Sequence, residues 1–282
     1  MSPQALSAPA PNPADAKPLR IGIFDSGVGG LSVMQAVRAR LPHAELLYAA
    51  DTAYAPYGDR SEDFLCDRST RIARFLCDQG AQVIVVACNT ATAAAVAALR
   101  AASPDLPLVG VEPGVKPAIA LSGARRVGVL ATTRTLASEK FRRLAQAHAE
   151  GAQLVLQACP GLADAIEAAD AQGSGLDVLV ERYCAPLRDA GVDVAVLGCT
   201  HYVFARALFE RALPGVQLVD TADAVARQTA RFADELVARG QVDAPGADSP
   251  ALRAWSSGSP EVLAAFAHRW LALRVSVNDM RC

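Results

Sequence analysis

The chain has 282 residues, 52% of them hydrophobic, and a formal net charge of −2 at pH 7, which is material for a sizeable core and length enough for two domains. A balance so near neutral removes the electrostatic ground for expecting nucleic acid as a partner. The only lysines are Lys17, Lys116 and Lys140, few candidates for a pyridoxal Schiff base, and no apolar run reaches the ~18 residues that suggest a membrane span.

Seven cysteines (Cys66, Cys77, Cys88, Cys159, Cys184, Cys199 and Cys282) are an odd number with no C-x-x-C pair, so they read as free thiols in a reducing compartment. Residues 1–18 are rich in Pro, Ala and Ser and have neither a basic nor an apolar leader region. They read as a disordered arm, and a cytoplasmic enzyme without metal or cofactor is expected.

Order is predicted from Leu19. Ile21 to Phe24 is a short buried strand running into Asp25-Ser26-Gly27-Val28-Gly29-Gly30 and a helix from Leu31 to Leu41. Ser32 occupies the third position of a would-be G-x-G-x-x-G and no P-loop lysine follows, so nucleotide binding is rejected here. Asp25 fits a helix cap or a catalytic partner equally well. Glu45 to Ala49 is the next strand, followed by the polar, aromatic loop Asp51 to Gly58, in which Pro56 fixes φ and Gly58 permits a turn. An ordinary turn and a binding loop are both open readings there. Ser61 caps a helix to Gln79 that carries Cys66 and Cys77 on one face, where they read as core.

Val83 to Ala87 is an apolar run expected in the middle of a parallel sheet, and it stops at Cys88-Asn89-Thr90 beside a helix start. Leu108 to Val111 is a further strand, and the Pro/Gly-rich Glu112 to Pro117 marks the first domain boundary, with Glu112 and Lys116 read as a structural ion pair. The second half repeats the scheme. It has a strand Val127 to Leu130 with a polar turn at Thr132 and Thr135, a helix to His148, and a strand Leu154 to Leu156. A helix from Leu162 to about Ala169 presents Asp164 and Glu167 on one face, ordinarily a solvated pair. After an amphipathic helix, Leu176 to Ala190, the strand Val192 to Gly198 ends in Cys199-Thr200-His201 and leads into an amphipathic run to Leu213. Gln217 to Ala222 is a strand-to-helix junction, with a helix through Val237. The strand Leu252 to Ser256, a helix to about Leu273 and a tail are expected to complete the first domain.

Two alignments at nearly equal offsets, Arg20 to Ser26 on Arg126 to Thr132 and the Cys88 segment on the Cys199 segment, indicate one βα unit copied and fused. The expected fold class is therefore α/β, with two pseudo-symmetric domains, each a mostly parallel sheet flanked by helices. Residues 19–112 plus 214–282 form the first and 113–213 the second, with the active site in the cleft between them. A cysteine at a strand end and helix N-terminus is a candidate low-pKa thiol. Two of them suit the inversion of a C–H stereocentre, one thiolate taking the proton and one thiol returning a proton to the other side.

In this arrangement the chain resembles the glutamate racemase family of cofactor-independent racemases. The resemblance is carried in order by Phe24 to Ser32, Pro56-Tyr57-Gly58, Ala87 to Ala91, Glu112-Pro113, Leu197 to Tyr202 and Val219-Asp220. It implies racemisation of glutamate, supplying D-glutamate for peptidoglycan, with Cys88 and Cys199 as the two bases, assisted by Asp25, His201 and Glu167. It further implies that Asp25, Ser26, Pro56, Tyr57, Gly58, Asn89, Thr90, Thr132, Thr135, Thr200 and His201 hold the substrate. Glutamate, a homodimeric partner copy, no membrane and no nucleic acid complete the expectations. The run ahead of Glu167, Gly161 to Ile166, is less apolar than the family pattern and lacks its proline. Alternatives are a racemase of aspartate or hydantoins, a protein that keeps the fold to regulate a partner such as a DNA topoisomerase, and a metal site at Cys199 and His201.

Overall fold

The computed structural model describes residues 18–149, 151–168, 175–243 and 251–282. The expected N-terminal arm lies almost wholly outside the described residues, as do most of the loops placed at Asp170 to Gly175 and Asp243 to Ser249. The chain forms two compact units, the first ending at Val111 and resuming at Ala222, the second running Glu112–Thr221.

The first unit begins β1 (Arg20–Asp25), α1 (Leu31–Arg40), β2 (Glu45–Ala50), α2 (Glu62–Asp78), β3 (Val83–Val86), α3 (Asn89–Ala102) and β4 (Leu108–Gly110). All four residues of β3 are buried, as a strand covered on both faces requires. Helix α2 starts where the Ser61 side chain accepts the Phe64 N–H, has Glu62 and Asp63 in its first turn, and buries Leu65, Ile72, Ala73 and Leu76 on one face. These side chains meet Phe24, Ile84, Val86, Val96 and Leu99 in one core, with Cys66 and Cys77 packed at its margin as the sequence suggests.

The second unit holds α4 (Val115–Leu121), β5 (Arg126–Ala131), α5 (Thr133–Ala137), α6 (Glu139–His148), β6 (Gln153–Ala158), α7 (Leu162–Ala168), α8 (Leu176–Asp189), β7 (Val194–Leu197), α9 (Arg206–Ala212) and β8 (Gln217–Val219). Its core gathers Val115, Ile119, Val127, Val129, Phe141, Val194 and Val196. The single helix expected up to His148 is two. Ser138 is extended, donates its hydroxyl to the Thr135 carbonyl and accepts the Phe141 N–H, so it closes one helix and caps the next. The run after His201 likewise divides, into a 3-10 turn Tyr202–Ala205 and α9.

The chain then supplies α10 (Ala222–Ala238), β9 (Leu252–Ser256), α11 (Pro260–Leu271) and β10 (Val277–Asp279). The tail, unassigned by the sequence, adds β10 to the edge of the first sheet. The return to the first unit falls at Ala222 rather than at 214, because β8 pairs with β7 and belongs to the second sheet. Both passages leave the second unit side by side: a Cβ on Gly114 would lie 3.1 Å from Val219 and 3.2 Å from Thr221. Ion pairs hold each passage, Lys140 to Glu112 at 2.8 Å and Arg206 to Asp220 at 2.5 Å. Glu112 therefore pairs with Lys140 on α6, not with Lys116 as expected.

Every strand pair is parallel, and the sheet orders are β10-β9-β2-β1-β3-β4 and β6-β5-β7-β8. The order β2-β1-β3-β4 is repeated by β6-β5-β7-β8, so the duplication read from sequence is present in the topology. In each sheet the first strand of the repeat lies between the second and third, which makes the gap between β1 and β3, and between β5 and β7, a switch point where open α/β sheets bind ligands. Among the described residues no helix is long and apolar enough to cross a membrane.

Gly22 and Gly128 stand at matching points of β1 and β5, each beneath a helix. A Cβ on Gly22 would meet Leu76 Cβ and Ala81 Cβ at 3.0 Å, atoms fixed to the backbone. Gly22→Ala is expected to lower stability by about 1–3 kcal/mol through overpacking, read from urea unfolding. A midpoint equal to wild type would show that α2 gives way freely.

Candidate active site

In the first unit the residues singled out by sequence gather at the carboxyl ends of β1, β2 and β3. Cys88 follows β3 and is the N-cap of α3: its Sγ accepts the Ala91 N–H at 3.4 Å and donates to the Ser26 hydroxyl oxygen at 3.5 Å. The Ala91 N–H and the positive end of α3 both favour negative charge on this sulfur. Ser26 is in turn tied to Asp25, whose Oδ1 accepts the Ser26 N–H at 2.8 Å and its hydroxyl at 3.3 Å, while Oδ2 accepts the Gly30 N–H at 2.5 Å. Asp25 thus organises the glycine turn and contacts Cys88's partner; it is not the cap of α1, whose N-cap is Gly30 with no side-chain cap bond. A Cβ on Gly30 would come within 2.7 Å of Asp25, so this close turn requires glycine.

Asn89 and Thr90 open α3 and are buried. The Asn89 Oδ1 is buried without a hydrogen-bond partner, an acceptor that a bound donor would satisfy. The loop after β2 makes two 3-10 turns, Thr52–Tyr54 and Tyr57–Asp59, joined through Pro56, with Gly58 inside the second. Tyr57 is buried in the same core as Cys88 and donates its hydroxyl to Asp51 Oδ2 at 2.5 Å.

In the second unit the corresponding positions end β5 and β7. Thr132 caps α5, accepting the Thr135 N–H at 3.2 Å and donating to the Thr135 hydroxyl at 2.9 Å. Gly198 packs so closely that a Cβ there would lie 2.8 Å from the Leu130 carbonyl, so β7 meets β5 tightly just before Cys199. Cys199, Thr200 and His201 follow, all buried. His201 lies between two groups: its Nδ1 is 3.7 Å from Cys199 Sγ and its Nε2 is 2.6 Å from Glu167 Oε1. Glu167 thus leaves the solvated pair expected with Asp164, because α7 turns it toward His201. Two tyrosines that sequence reasoning did not single out steady the turn leading into α7. Tyr183 donates to the Pro160 carbonyl at 2.6 Å and Tyr202 to the Cys159 carbonyl at 3.5 Å. Tyr202 ends the Leu197 to Tyr202 run but has no role assigned there, and Tyr183, on a face of α8, is marked by no spacing rule.

Burial alone would lower the His201 pKa, but hydrogen bonds to Cys199 and Glu167 and the charges behind them raise it well above the ordinary 6.5. The unit is therefore built to hold His201 as an imidazolium between Cys199 and the Glu167 carboxylate. The folded state grips this proton more tightly than an unfolded chain does. The stabilisation is complete below about pH 6.5 and is lost as pH rises through the folded value. Burial acts oppositely on the other thiols: it pushes Cys184 up to about 12 and Cys77 up to about 11, and raises Cys66, Cys159 and Cys282. Among the described residues no group of three or more His, Cys, Asp and Glu side chains is arranged to hold a metal ion.

Parallel sheets of repeated order, each with a buried cysteine just beyond one strand of its switch point, define a duplicated α/β protein. The chain belongs to the Asp/Glu/Hydantoin racemase family, whose profile matches residues 31–229. It is 48% identical to a glutamate racemase of Pseudomonas aeruginosa over 244 residues, 86% of this chain and 89% of that one. It is 47% identical to one of Pseudomonas putida over 246 residues, 86% and 90%. Among solved structures, Bacillus anthracis glutamate racemase RacE1 superposes with a TM-score of 0.82 at 30% identity, covering 93% of this chain and 97% of that one. Escherichia coli glutamate racemase, in complex with L-glutamate and the activator UDP-MurNAc-Ala, gives 0.76 at 31%, again covering 93% and 97%.

The His201 arrangement has a direct spectroscopic test. In NMR titration of the imidazole, Glu167→Gln is expected to bring the His201 midpoint down toward that of an ordinary histidine. An unmoved midpoint would mean that the 2.6 Å contact does not hold the charge.

Proposed function

We propose that the protein interconverts L- and D-glutamate without a cofactor, Cys88 and Cys199 working on opposite faces of Cα. The observation that carries this reading is the pair of cysteines at equivalent strand ends of a duplicated fold, each provided with its own hydrogen-bonding groups. The glutamate racemases to which the chain is 47–48% identical support glutamate as the substrate.

The reaction needs one sulfur as thiolate and the other as thiol. The thiolate takes the Cα proton, the electron pair passes into the neighbouring carboxylate, and the thiol delivers its proton to the opposite face, so the two sulfurs exchange states. Asp25, acting through Ser26, supports Cys88. His201, charged and backed by Glu167, supports Cys199 as thiolate and can return a proton to it. The substrate's carboxylates and ammonium are held by Ser26, Asn89, Thr90, Thr132, Thr135 and Thr200, with Pro56, Tyr57 and Gly58 shaping the loop. Hydroxyls, amides and backbone N–H groups bind a dianionic amino acid without adding a competing base. The buried Asn89 Oδ1 suits an ammonium donor. The product would serve peptidoglycan synthesis in the cytoplasm, and the working form is a homodimer.

With either pure enantiomer in D₂O and no added cofactor, the protein is expected to reach the same racemic mixture with deuterium at Cα. Cys88→Ala and Cys199→Ala should each reduce racemisation by roughly 10²–10⁴-fold, the range of a positioned acid or base. Full activity in either variant would remove the mechanism, and faster turnover of aspartate than of glutamate would reassign the substrate. Light scattering after size exclusion should give about twice the 29.4 kDa chain mass, and a monomer mass at assay concentration would refute the dimer.

A further inference from the structure

The loop that carries Tyr57 is fixed from beneath by a group no motif marks. Asp51, at the end of β2, is fully buried, and its carboxylate accepts three hydrogen bonds: Tyr57 hydroxyl at 2.5 Å, Arg68 Nε at 3.0 Å and Arg68 Nη2 at 2.6 Å. Arg68, on α2 and 4% exposed, has its guanidinium 4.0 Å from the Tyr54 ring centre, and its Nη1 donates to the Cys282 carbonyl at 2.6 Å. One side chain therefore joins β2, α2, the loop and the segment after β10. A planar fork with several donors is required for this, which a lysine lacks. The turn containing Tyr57 packs on α3, the helix that Cys88 caps.

We propose that Arg68 is a positioning residue for racemisation: acting through Asp51, it seats Tyr57 against the Cys88 helix and cancels the buried carboxylate charge behind that thiol. The proposal rests on the functional reading above. Asp51 without a cation would be an uncompensated buried charge, and it would oppose a second negative charge on Cys88. Tyr57 cannot absorb it, because burial, then the Asp51 charge, raise its phenol and keep it a protonated donor; the Cys88 charge acts on it in the same sense. Other titratable groups around this cluster are the Tyr54 phenol, whose ring lies under Arg68, the Cys282 thiol, 3.8 Å from Arg68 Nη2, and Arg71, whose charge acts on that thiol; Asp25 stands behind Cys88 through Ser26.

The test compares Arg68→Met, Arg68→Lys and the double variant Asp51→Asn/Arg68→Met with wild type, by circular dichroism and by the pH profile of kcat/KM for glutamate. Arg68→Met is expected to lose on the order of 10²-fold in kcat/KM with its acid limb moved to higher pH. Arg68→Lys should keep the limb where wild type has it but lose kcat, and the double variant, with both charges gone, should restore the limb. A folded Arg68→Met with unchanged kcat/KM and limb overturns the assignment, as does a double variant whose limb stays displaced. If Arg68→Met does not fold, Arg68→Lys decides, and wild-type kcat in that variant overturns the assignment. A wild-type protein that racemises neither enantiomer overturns the functional reading and this proposal with it.

Discussion

The constraint on which the structure depends is parallelism. When all strands of a sheet run one way, their carboxyl ends share an edge, and helix N-termini begin there with free N–H groups and positive dipole ends. The order β2-β1-β3-β4 then opens a gap at that edge between β1 and β3, and its repeat opens another between β5 and β7. Cys88 and Cys199 occupy the rim of these gaps. Their placement is thus a property of the sheet before it is a property of any loop.

The two sulfurs are nevertheless supported differently. Cys88 receives a backbone N–H and donates to a serine hydroxyl, which in turn donates to Asp25. Cys199 faces a histidine that is itself held by a carboxylate. The duplicated backbone tolerates both surroundings because the strand end fixes only where the sulfur sits.

Much of this was legible in the sequence because it is local. Runs such as Val83 to Val86, the Ser61 cap and the repeated strand–cysteine signature depend on neighbours in the chain, and the elements they imply are present. Partnerships across elements were not legible. Spacing alone makes Glu167 a partner of Asp164, and Glu112 a partner of Lys116, whereas packing gives them to His201 and Lys140. The break at Ser138 turns on a cap that competes with helix continuation, and β10 is three residues whose strand character comes from the edge they meet. Arg68 is the extreme case: a charged residue in an amphipathic helix is ordinarily read as solvated, and only the position of Asp51 explains its burial.

The way the second unit is attached has a consequence of its own. Its first and last residues meet at Gly114, Val219 and Thr221, and an ion pair pins each end to the body of that unit. A segment whose termini touch can be spliced into a surface turn of a host with little demand on the host's geometry. Seen so, residues 112–221 form a cassette seated in a connection of the first unit, and they are the natural piece to excise, express alone or rejoin as a circular permutant.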